Sequence, residues 1–259
     1  MDYFEKLENN PYEDLNWNIP ERQTGTVNII GGNAGSFRTE IKIAEYIASI
    51  YPLQEVKVVV PDALKGNLPN LSNIVFLPST DSGGFAESQE LISIFDVVDF
   101  NLVLGDLSKN KITGHAIANA VKGSDKMLLL TRDTIDVLVD NMPERWLMNE
   151  NVMILASIAQ LQKLLRSVYY PKMLLMSSSL IQIADVLHKF TLSYPVEIIT
   201  LHNGQVIVAK NGIVKAVALE KTGYSPIMFW NGEVAGKIVG MNLYNPSKFI
   251  EATIDAIIQ

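Results

Sequence analysis

The sequence predicts an α/β fold, with a mostly parallel sheet covered on both faces by helices and an antiparallel meander near its C-terminal end. Short β-rich runs alternate with longer segments of helical periodicity along most of the chain. The runs are continuously apolar, which is typical of parallel strands buried on both faces. After residue 195, two Asn-Gly pairs separate three further β-rich runs. Because Asn-Gly supplies the positive φ of tight hairpin turns, these runs are expected to pair antiparallel.

The predicted elements follow one another with clear stop and start signals. A first strand at 26–30 ends at Gly31-Gly32, and a second at 55–60 ends at Pro61. Further strands are predicted at 73–77, 101–104 and 127–131, and helices at 36–50, 87–95, 115–121, 133–141, 153–165 and 174–190. A last helix is expected to begin near Pro246, because proline fits the first helical turn. Right-handed crossovers of this kind produce a doubly wound sheet.

The composition is that of a folded, acidic protein. The 259 residues include 28 acidic and 21 basic side chains, a net charge of −7, and 48% are hydrophobic, which excludes a disordered chain. A pI near 5.0 argues against nucleic acid or an anionic membrane as partner. The lack of cysteine excludes disulfides, zinc–thiolate sites and iron–sulfur clusters. The three histidines are widely separated, so no metal site is expected.

Residues 1–23 are interpreted as an extension that precedes a single domain at 24–259. The segment contains Tyr3, Tyr12 and Trp17, so docking through aromatic side chains is favoured over a disordered tail. It has neither the basic region nor the apolar core of a signal peptide. The chain also lacks the run of roughly 18 apolar residues that a membrane span needs. A cytoplasmic location without membrane contact is therefore expected.

Gly31, Gly32 and Asn33 form the first candidate ligand site. They stand where a predicted strand ends and a helix opens, a place that offers free backbone N–H groups to an anion. The motif matches neither the dinucleotide fingerprint nor the P-loop. A tight turn in which glycine serves geometry alone is an equally weighted alternative.

Asn231, Gly232 and Gly236 form the second candidate ligand site, again before a predicted helix. Gly236 is followed by Lys237, but the glycine spacing is one residue short of a P-loop and Ile238 replaces the Mg²⁺-binding hydroxyl. Anion binding at a helix N-terminus is one interpretation. A glycine turn into a packed helix is the other.

Asp133 is a third candidate, because it lies just beyond the predicted strand 127–131. Ligands of open α/β sheets bind at the carboxyl ends of the strands, so Asp133 could hold a cation or a hydroxyl group. Aspartate is also a common helix N-cap, and this alternative interpretation of Asp133 is favoured.

The order of strands and glycine sites over residues 24–258 resembles the ribokinase-like superfamily, and in particular the ADP/ATP-dependent NAD(P)H-hydrate dehydratases. Residues 26–33 (TVNIIGGN) look like the first strand and glycine turn of that family. Residues 102–108 and 130–135 stand where the family has its Gly-Pro-Gly-Leu-Gly and Asp-Ala-Asp-Gly-Leu motifs. Residues 229–236 (FWNGEVAG) match the position of its Gly-Ser-Gly-Asp anion hole. The resemblance implies a three-layer α/β/α sandwich, ATP or ADP with Mg²⁺ as cofactor, and homo-oligomers.

The chain departs from the family at the positions that carry chemistry. Without a gap the family's base falls on Gly232, and the first aspartate of the second motif becomes Thr131. Phe229 and Trp230 replace two glycines of the anion hole, which would crowd the approach of a phosphate.

Two functions follow from the resemblance. In the first, a nucleotide phosphorylates hydrated NAD(P)H, and Glu233 serves as base with Asp133 or Asp106 as helper. In the second, the chain is a non-catalytic descendant that binds a nucleotide or dinucleotide, or serves in assembly. The loss of the base favours the second.

Overall fold

The computed structural model describes residues 2–68, 71–108, 110–141 and 143–259. The strands are β1 Phe4–Leu7, β2 Thr26–Gly31, β3 Glu55–Pro61, β4 Ile74–Leu77, β5 Phe100–Gly105, β6 Met127–Thr131, β7 Val152–Leu155, β8 Glu197–His202, β9 Gln205–Lys210 and β10 Ile213–Ala218. The helices are α1 Arg38–Ile50, α2 Gln89–Ile94, α3 Lys111–Gly123, α4 Asp133–Val139, α5 Pro143–Leu147, α6 Ile158–Ser167, α7 Leu180–Ser193, α8 Pro226–Phe229, α9 Glu233–Tyr244 and α10 Phe249–Ile258.

All ten strands belong to one sheet, in the order β1-β10-β9-β8-β7-β6-β5-β2-β3-β4. The strands from β4 to β8 pair in parallel, and the β8-β9-β10 meander is antiparallel. The predicted mostly parallel sheet with an antiparallel meander is therefore confirmed. None of the helices within the described ranges has the length and apolar character that crossing a bilayer requires.

Successive residues of a strand pack into two different hydrophobic cores, one on each face of the sheet. Ile30, for example, packs with α2 to α7 on one face, whereas Ile29 packs with α1, α9 and α10 on the other. Both side chains are fully buried. Because neighbouring residues of a strand point to opposite faces, continuously apolar strands produce a three-layer sandwich with helices on each side. This confirms the predicted architecture.

The prediction of a single helix over 153–165 is wrong. Residues 152–155 form β7, and α6 begins only after Ser157, whose side chain forms a reciprocal capping box with Gln160. A short apolar run cannot be assigned to helix or strand by periodicity alone. Residues 152–155 are a strand because they lie between β6 and β8 and pair with both through backbone hydrogen bonds. The helix predicted at 174–190 likewise begins later, after a capping box at Ser179.

The N-terminal segment adds an edge strand to the sheet, since β1 pairs in parallel with β10. Tyr3 stacks on the ring of His188 with the ring centroids 3.8 Å apart. Tyr12 is buried, and the Lys248 ammonium lies 5.7 Å from the centroid of the Trp17 ring. The segment is thus held by backbone pairing as well as by aromatic contacts. The boundary at residue 23 stays a prediction.

Candidate functional site

The candidate site lies at the edge of the sheet where β2, β5, β6, β8 and β10 end. These strands run in the same direction, so the loops that follow them meet at one side of the molecule. Helix α9 begins at the same edge and packs against β5 and β6. Ligands of open α/β sheets bind at this edge. It divides into two parts, a closed end around residues 31–40, 105–107 and 132–133 and an open groove around residues 203–205 and 218–226.

Glu40 is the central buried group of the closed end. It lies in the first turn of α1, is completely buried, and neither carboxyl oxygen has a hydrogen-bond partner among the described residues. A Cβ at Gly31 would come within 2.7 Å of Glu40 Oε1 and would overlap the Gly105 carbonyl oxygen. Glycine at position 31 therefore makes room for Glu40 and Gly105, which favours the turn interpretation of this glycine site.

Burial raises the pKa of Glu40 to about 8. The neighbouring Asp106 and Asp133 raise it further, whereas Arg132 lowers it. At neutral pH the side chain is therefore mostly a protonated, uncharged acid. An uncharged carboxyl group can donate a hydrogen bond as well as accept one.

Asp133 anchors the loop after β5. Its Oδ1 accepts a hydrogen bond from the backbone N–H of Asp106 at 2.6 Å, and its Oδ2 accepts one from that of Leu107 at 3.0 Å. Gly105 has a φ of +122°, and a Cβ there would overlap Asp133 Oδ1. Burial raises the pKa of Asp133. The interpretation of Asp133 as a helix N-cap is wrong, because Arg132 holds the cap position and the carboxylate bonds to another loop.

Asp106 is held on the other side of the same loop by Arg132. The guanidinium forms a bidentate ion pair with both carboxylate oxygens, at 2.9 and 3.3 Å. The Thr39 hydroxyl donates a further bond at 3.3 Å, and Asn33 Nδ2 donates to the Asp106 carbonyl oxygen. Asp106 and Arg132 both have a positive φ, of 53° and 54°. This is a strained backbone conformation that non-glycine residues rarely adopt.

The predicted second glycine site is the start of α9. Gly232 is the N-cap with a φ of +105°, and a Cβ there would come within 3.0 Å of Ile43 and 3.3 Å of Leu104. Gly236 approaches α1 in the same way. Asn231 Oδ1 accepts the backbone N–H of Glu233 at 2.9 Å. The glycines thus let α9 approach α1 and β5 closely, and they bring Glu233 near the end of β5.

Glu233 is half-buried, and its carboxylate forms no hydrogen bond or ion pair within the described part of the chain. Phe229 is fully buried in the core, and Trp230 meets its ring edge-on at 5.0 Å. Phe229 and Trp230, which stand where the NAD(P)H-hydrate dehydratases have glycines, therefore pack into the protein.

The open groove lies at the ends of β8 and β10, with a volume of about 420 Å³. Its polar lining consists of Asn203, Gln205 and Glu220. Leu219, Tyr224 and Pro226 give it an apolar wall. The Lys237 ammonium lies 5.2 Å from the centre of the Tyr224 ring. Four strand spacings separate β10 from β6, roughly 19 Å along the edge. An elongated ligand is needed to bridge the open groove and the closed end.

The closed end does not fit the Mg²⁺ that the family resemblance implies. Mg²⁺ is bound through one or two carboxylates together with substrate phosphates and water. Here the oxygens of Asp106 and Asp133 are bonded to Arg132 and to backbone N–H groups. Within the described ranges, no three histidine or carboxylate side chains converge closely enough to hold a metal ion.

The structure brings the first and third predicted sites together around the loop after β5, with Gly31, Asn33 and Asp133 all in contact with that loop. The sequence interpretation had treated them as separate candidates. It missed Glu40 and Arg132. A signal for Glu40 existed, because residues 40, 44 and 47 share the buried face of α1 at helical spacing. A charged residue on such a face is a candidate for a buried functional group.

No protein-family model matches the chain, and no curated protein matches it by sequence. Solved structures match it in fold. Bacillus subtilis YxkO, a member of the UPF0031 family, has a TM-score of 0.63 at 13% identity and covers 92% of this chain and 82% of its own. The Bacillus subtilis ADP/ATP-dependent NAD(P)H-hydrate dehydratase, co-crystallised with ATP and Mg²⁺, has a TM-score of 0.60 at 13% identity, covering 93% and 82%.

A pyrophosphate-dependent kinase of the ribokinase family, in complex with a pyrophosphate analogue and myo-inositol, has a TM-score of 0.54 at 10% identity. It covers 88% of this chain and 90% of its own. At these identities the likeness concerns the fold. The chain therefore has the ribokinase-like fold, and the predicted resemblance to the NAD(P)H-hydrate dehydratases is confirmed at that level.

Proposed function

We propose that this protein binds ATP or ADP along the carboxyl edge of its sheet, and that nucleotide binding rather than phosphoryl transfer is its function. The support is an open groove lined by apolar and polar side chains, on a fold whose other members include nucleotide-dependent enzymes. Tyr224 and Leu219 offer a surface on which a purine can pack. The nearby Lys237 supplies a positive charge for the phosphates.

The observation that carries the non-catalytic proposal is the state of the acids at the closed end. Asp133 accepts two backbone hydrogen bonds, and Asp106 is paired with Arg132. Neither carboxylate can take a proton from a substrate hydroxyl, or bind a metal, without releasing the loop that it holds. Glu40 is protonated and fully buried, so it is not a base at neutral pH.

Glu233 favours a second candidate, an ATP- or ADP-dependent NAD(P)H-hydrate dehydratase. Its carboxylate is half-buried, has no partner among the described residues, and stands at the N-terminus of α9 beside β5. In this reaction Glu233 would take the proton of the hydroxyl on the hydrated nicotinamide ring. The oxygen would then attack the terminal phosphorus, and the shortened nucleotide would leave. Loss of inorganic phosphate and a ring proton would restore NAD(P)H.

Two measurements on the same protein separate the candidates. Calorimetric titration with ATP, ADP and AMP is expected to show saturable binding that Tyr224→Ala weakens at least tenfold. Tyr169→Ala is the matched control, because Tyr169 is 90% exposed and outside the groove. Incubation of hydrated NADH with ATP or ADP and Mg²⁺ is expected to restore no NADH absorbance. Recovery that Glu233→Gln abolishes would establish the dehydratase, and absence of any nucleotide binding would contradict both candidates.

Self-association, implied by the family resemblance, stays a prediction, as does the cytoplasmic location. Light scattering after size-exclusion chromatography would measure the oligomeric state directly.

A further inference from the structure

A larger cavity lies on the opposite helical layer, away from α9. It has a volume of about 850 Å³, within the usual range of small-molecule sites, and lies between α3, α4 and α6. We refer to it as the helical groove. Its titratable lining consists of Lys111 and His115 on α3, Lys163 and Arg166 on α6, Asp133 and Asp136 on α4, and Asp140, which directly follows α4. Neither the nucleotide proposal nor the dehydratase candidate uses this groove.

The basic residues come in pairs that face the groove from two different helices. Lys111 and His115 are four residues apart on α3, and Lys163 and Arg166 are three apart on α6. Residues at these spacings lie on the same side of a helix, one turn apart. Two helical walls therefore direct cationic or imidazole groups into one cavity.

Two of the three acids in the lining are bonded within the protein. Asp136 accepts a hydrogen bond from Gln160 Nε2 at 2.9 Å and forms an ion pair with Lys163. Asp133 accepts the two loop N–H groups. Asp140 is exposed and forms no ion pair or side-chain hydrogen bond with any of the described residues. The groove therefore has two free cations against one free carboxylate.

Lys111 and Arg166 are these two cations. Neither forms an ion pair or hydrogen bond with any of the described residues. The guanidinium presents paired donors that match phosphate oxygens, and the ammonium adds a compact positive charge. Val137 contributes an apolar part to the lining, while Asn141 and Ser167 contribute polar groups. Such a lining suits an anion attached to a small organic body.

We propose that the helical groove is a second ligand site, which binds a small phosphorylated metabolite through Lys111 and Arg166. Bare phosphate would fill only a small part of the 850 Å³ cavity. The rest of the ligand would contact Val137 and Ser167. Because Asp133 touches both this groove and the loop after β5, the groove adjoins the closed end of the sheet edge.

The test is a nuclear magnetic resonance titration of the full chain at constant ionic strength. Inorganic phosphate and ribose 5-phosphate are expected to shift the backbone signals of residues 111, 115 and 166 saturably, with ribose 5-phosphate the tighter ligand. Ribose is expected to leave them unchanged. The double variant Lys111→Gln/Arg166→Gln should weaken phosphate binding at least tenfold.

Lys122→Gln/Arg145→Gln is the matched control, since it removes the same charge from exposed positions outside the groove. Equal weakening in both double variants would show a general charge effect and would overturn the proposal. So would saturable binding of ribose, or the lack of any saturable shift. Shifts confined to residues 203–205 and 218–226 would place the phosphate in the open groove; the second site would then be refuted while the nucleotide proposal stands.

Discussion

The two parts of the carboxyl edge differ in how their polar groups are used. At the closed end, Asp133 and Asp106 are bonded to backbone and to Arg132, and Glu40 is buried as a neutral acid. In the open groove, Asn203 and Gln205 stand beside an apolar wall that solvent can reach. The same sheet edge thus contains a region that holds the fold together and a region that is free to bind. Substitutions should therefore affect stability at the closed end and binding at the open groove.

The largest loss of stability is expected for Gly31→Ala. The new Cβ would overlap the carbonyl oxygen of Gly105, which is backbone and cannot turn aside. We expect a loss of about 3 kcal/mol of unfolding free energy, measured by urea denaturation, as for other overpacked sites. Gly66→Ala is the control, because nothing lies within 4 Å of its Cβ position. Equal stability of the two variants would mean that the closed end is not tightly packed.

Glu40→Gln should stabilise the protein at alkaline pH. Because the folded pKa is about 8 and the usual value 4.5, the folded chain keeps a proton that the unfolded chain releases between these pH values. The unfolding free energy of the wild type therefore falls as pH rises through this window. The variant lacks this loss and should be about 4 kcal/mol more stable at pH 8, with little difference at pH 4.

Denaturation curves at several pH values would measure this difference. Glu45→Gln, on the exposed side of the same helix, should show no such pH dependence. A constant difference between Glu40→Gln and the wild type across pH would contradict the buried-acid interpretation.

Asp133→Asn should loosen the loop after β5. The amide keeps one acceptor oxygen but turns its NH₂ group toward a backbone donor, so one of the two hydrogen bonds is lost. We expect a cost of about 1.5 kcal/mol. Hydrogen exchange at the amides of Asp106 and Leu107 should accelerate. Asp125→Asn, on the surface, should leave both amides unchanged; protected amides in Asp133→Asn would refute the anchoring role.

The smallest effect on stability is expected in the open groove. Lys237→Gln removes the ammonium near the Tyr224 ring, a contact between two half-buried side chains that is worth about 0.5 kcal/mol. Stability should barely change, whereas ATP should bind several-fold more weakly in calorimetric titration. Lys221→Gln, which also removes one charge near the groove, tests whether the effect belongs to Lys237. A larger loss of stability than of affinity would show that the open groove is structural as well.

Much of the fold could be predicted from the pattern of apolar residues. The runs at 26–30 and 127–131 are continuous, and the Asn-Gly pairs identify the meander; both predictions are confirmed by the sheet order. The strand β7 could not be assigned, because its four residues run directly into α6 and share its apolar character. They form a strand because, in the folded protein, they pair with β6 on one side and with β8 on the other.

The candidate site was harder to predict from the sequence, because its contacts join residues far apart in the chain. The pattern at 31–33 indicates a glycine turn, but it does not show that Glu40 fills the space which the glycine leaves. The position of Asp133 after β6 is visible in the sequence. That its carboxylate bonds to the loop after β5 is not, because 26 and 27 residues separate donor and acceptor.

The amino-acid sequence by itself determined the layers, the direction of the strands and the meander, because these depend on local periodicity and on turn residues. The tertiary structure alone decided which polar groups are bonded within the protein and which are free to bind a ligand. Hydrogen bonding and burial depend on distances between remote segments, and those distances exist only after the layers have packed. For that reason Asp133 is an anchor, Glu40 a neutral acid, and Lys111 and Arg166 unpaired cations.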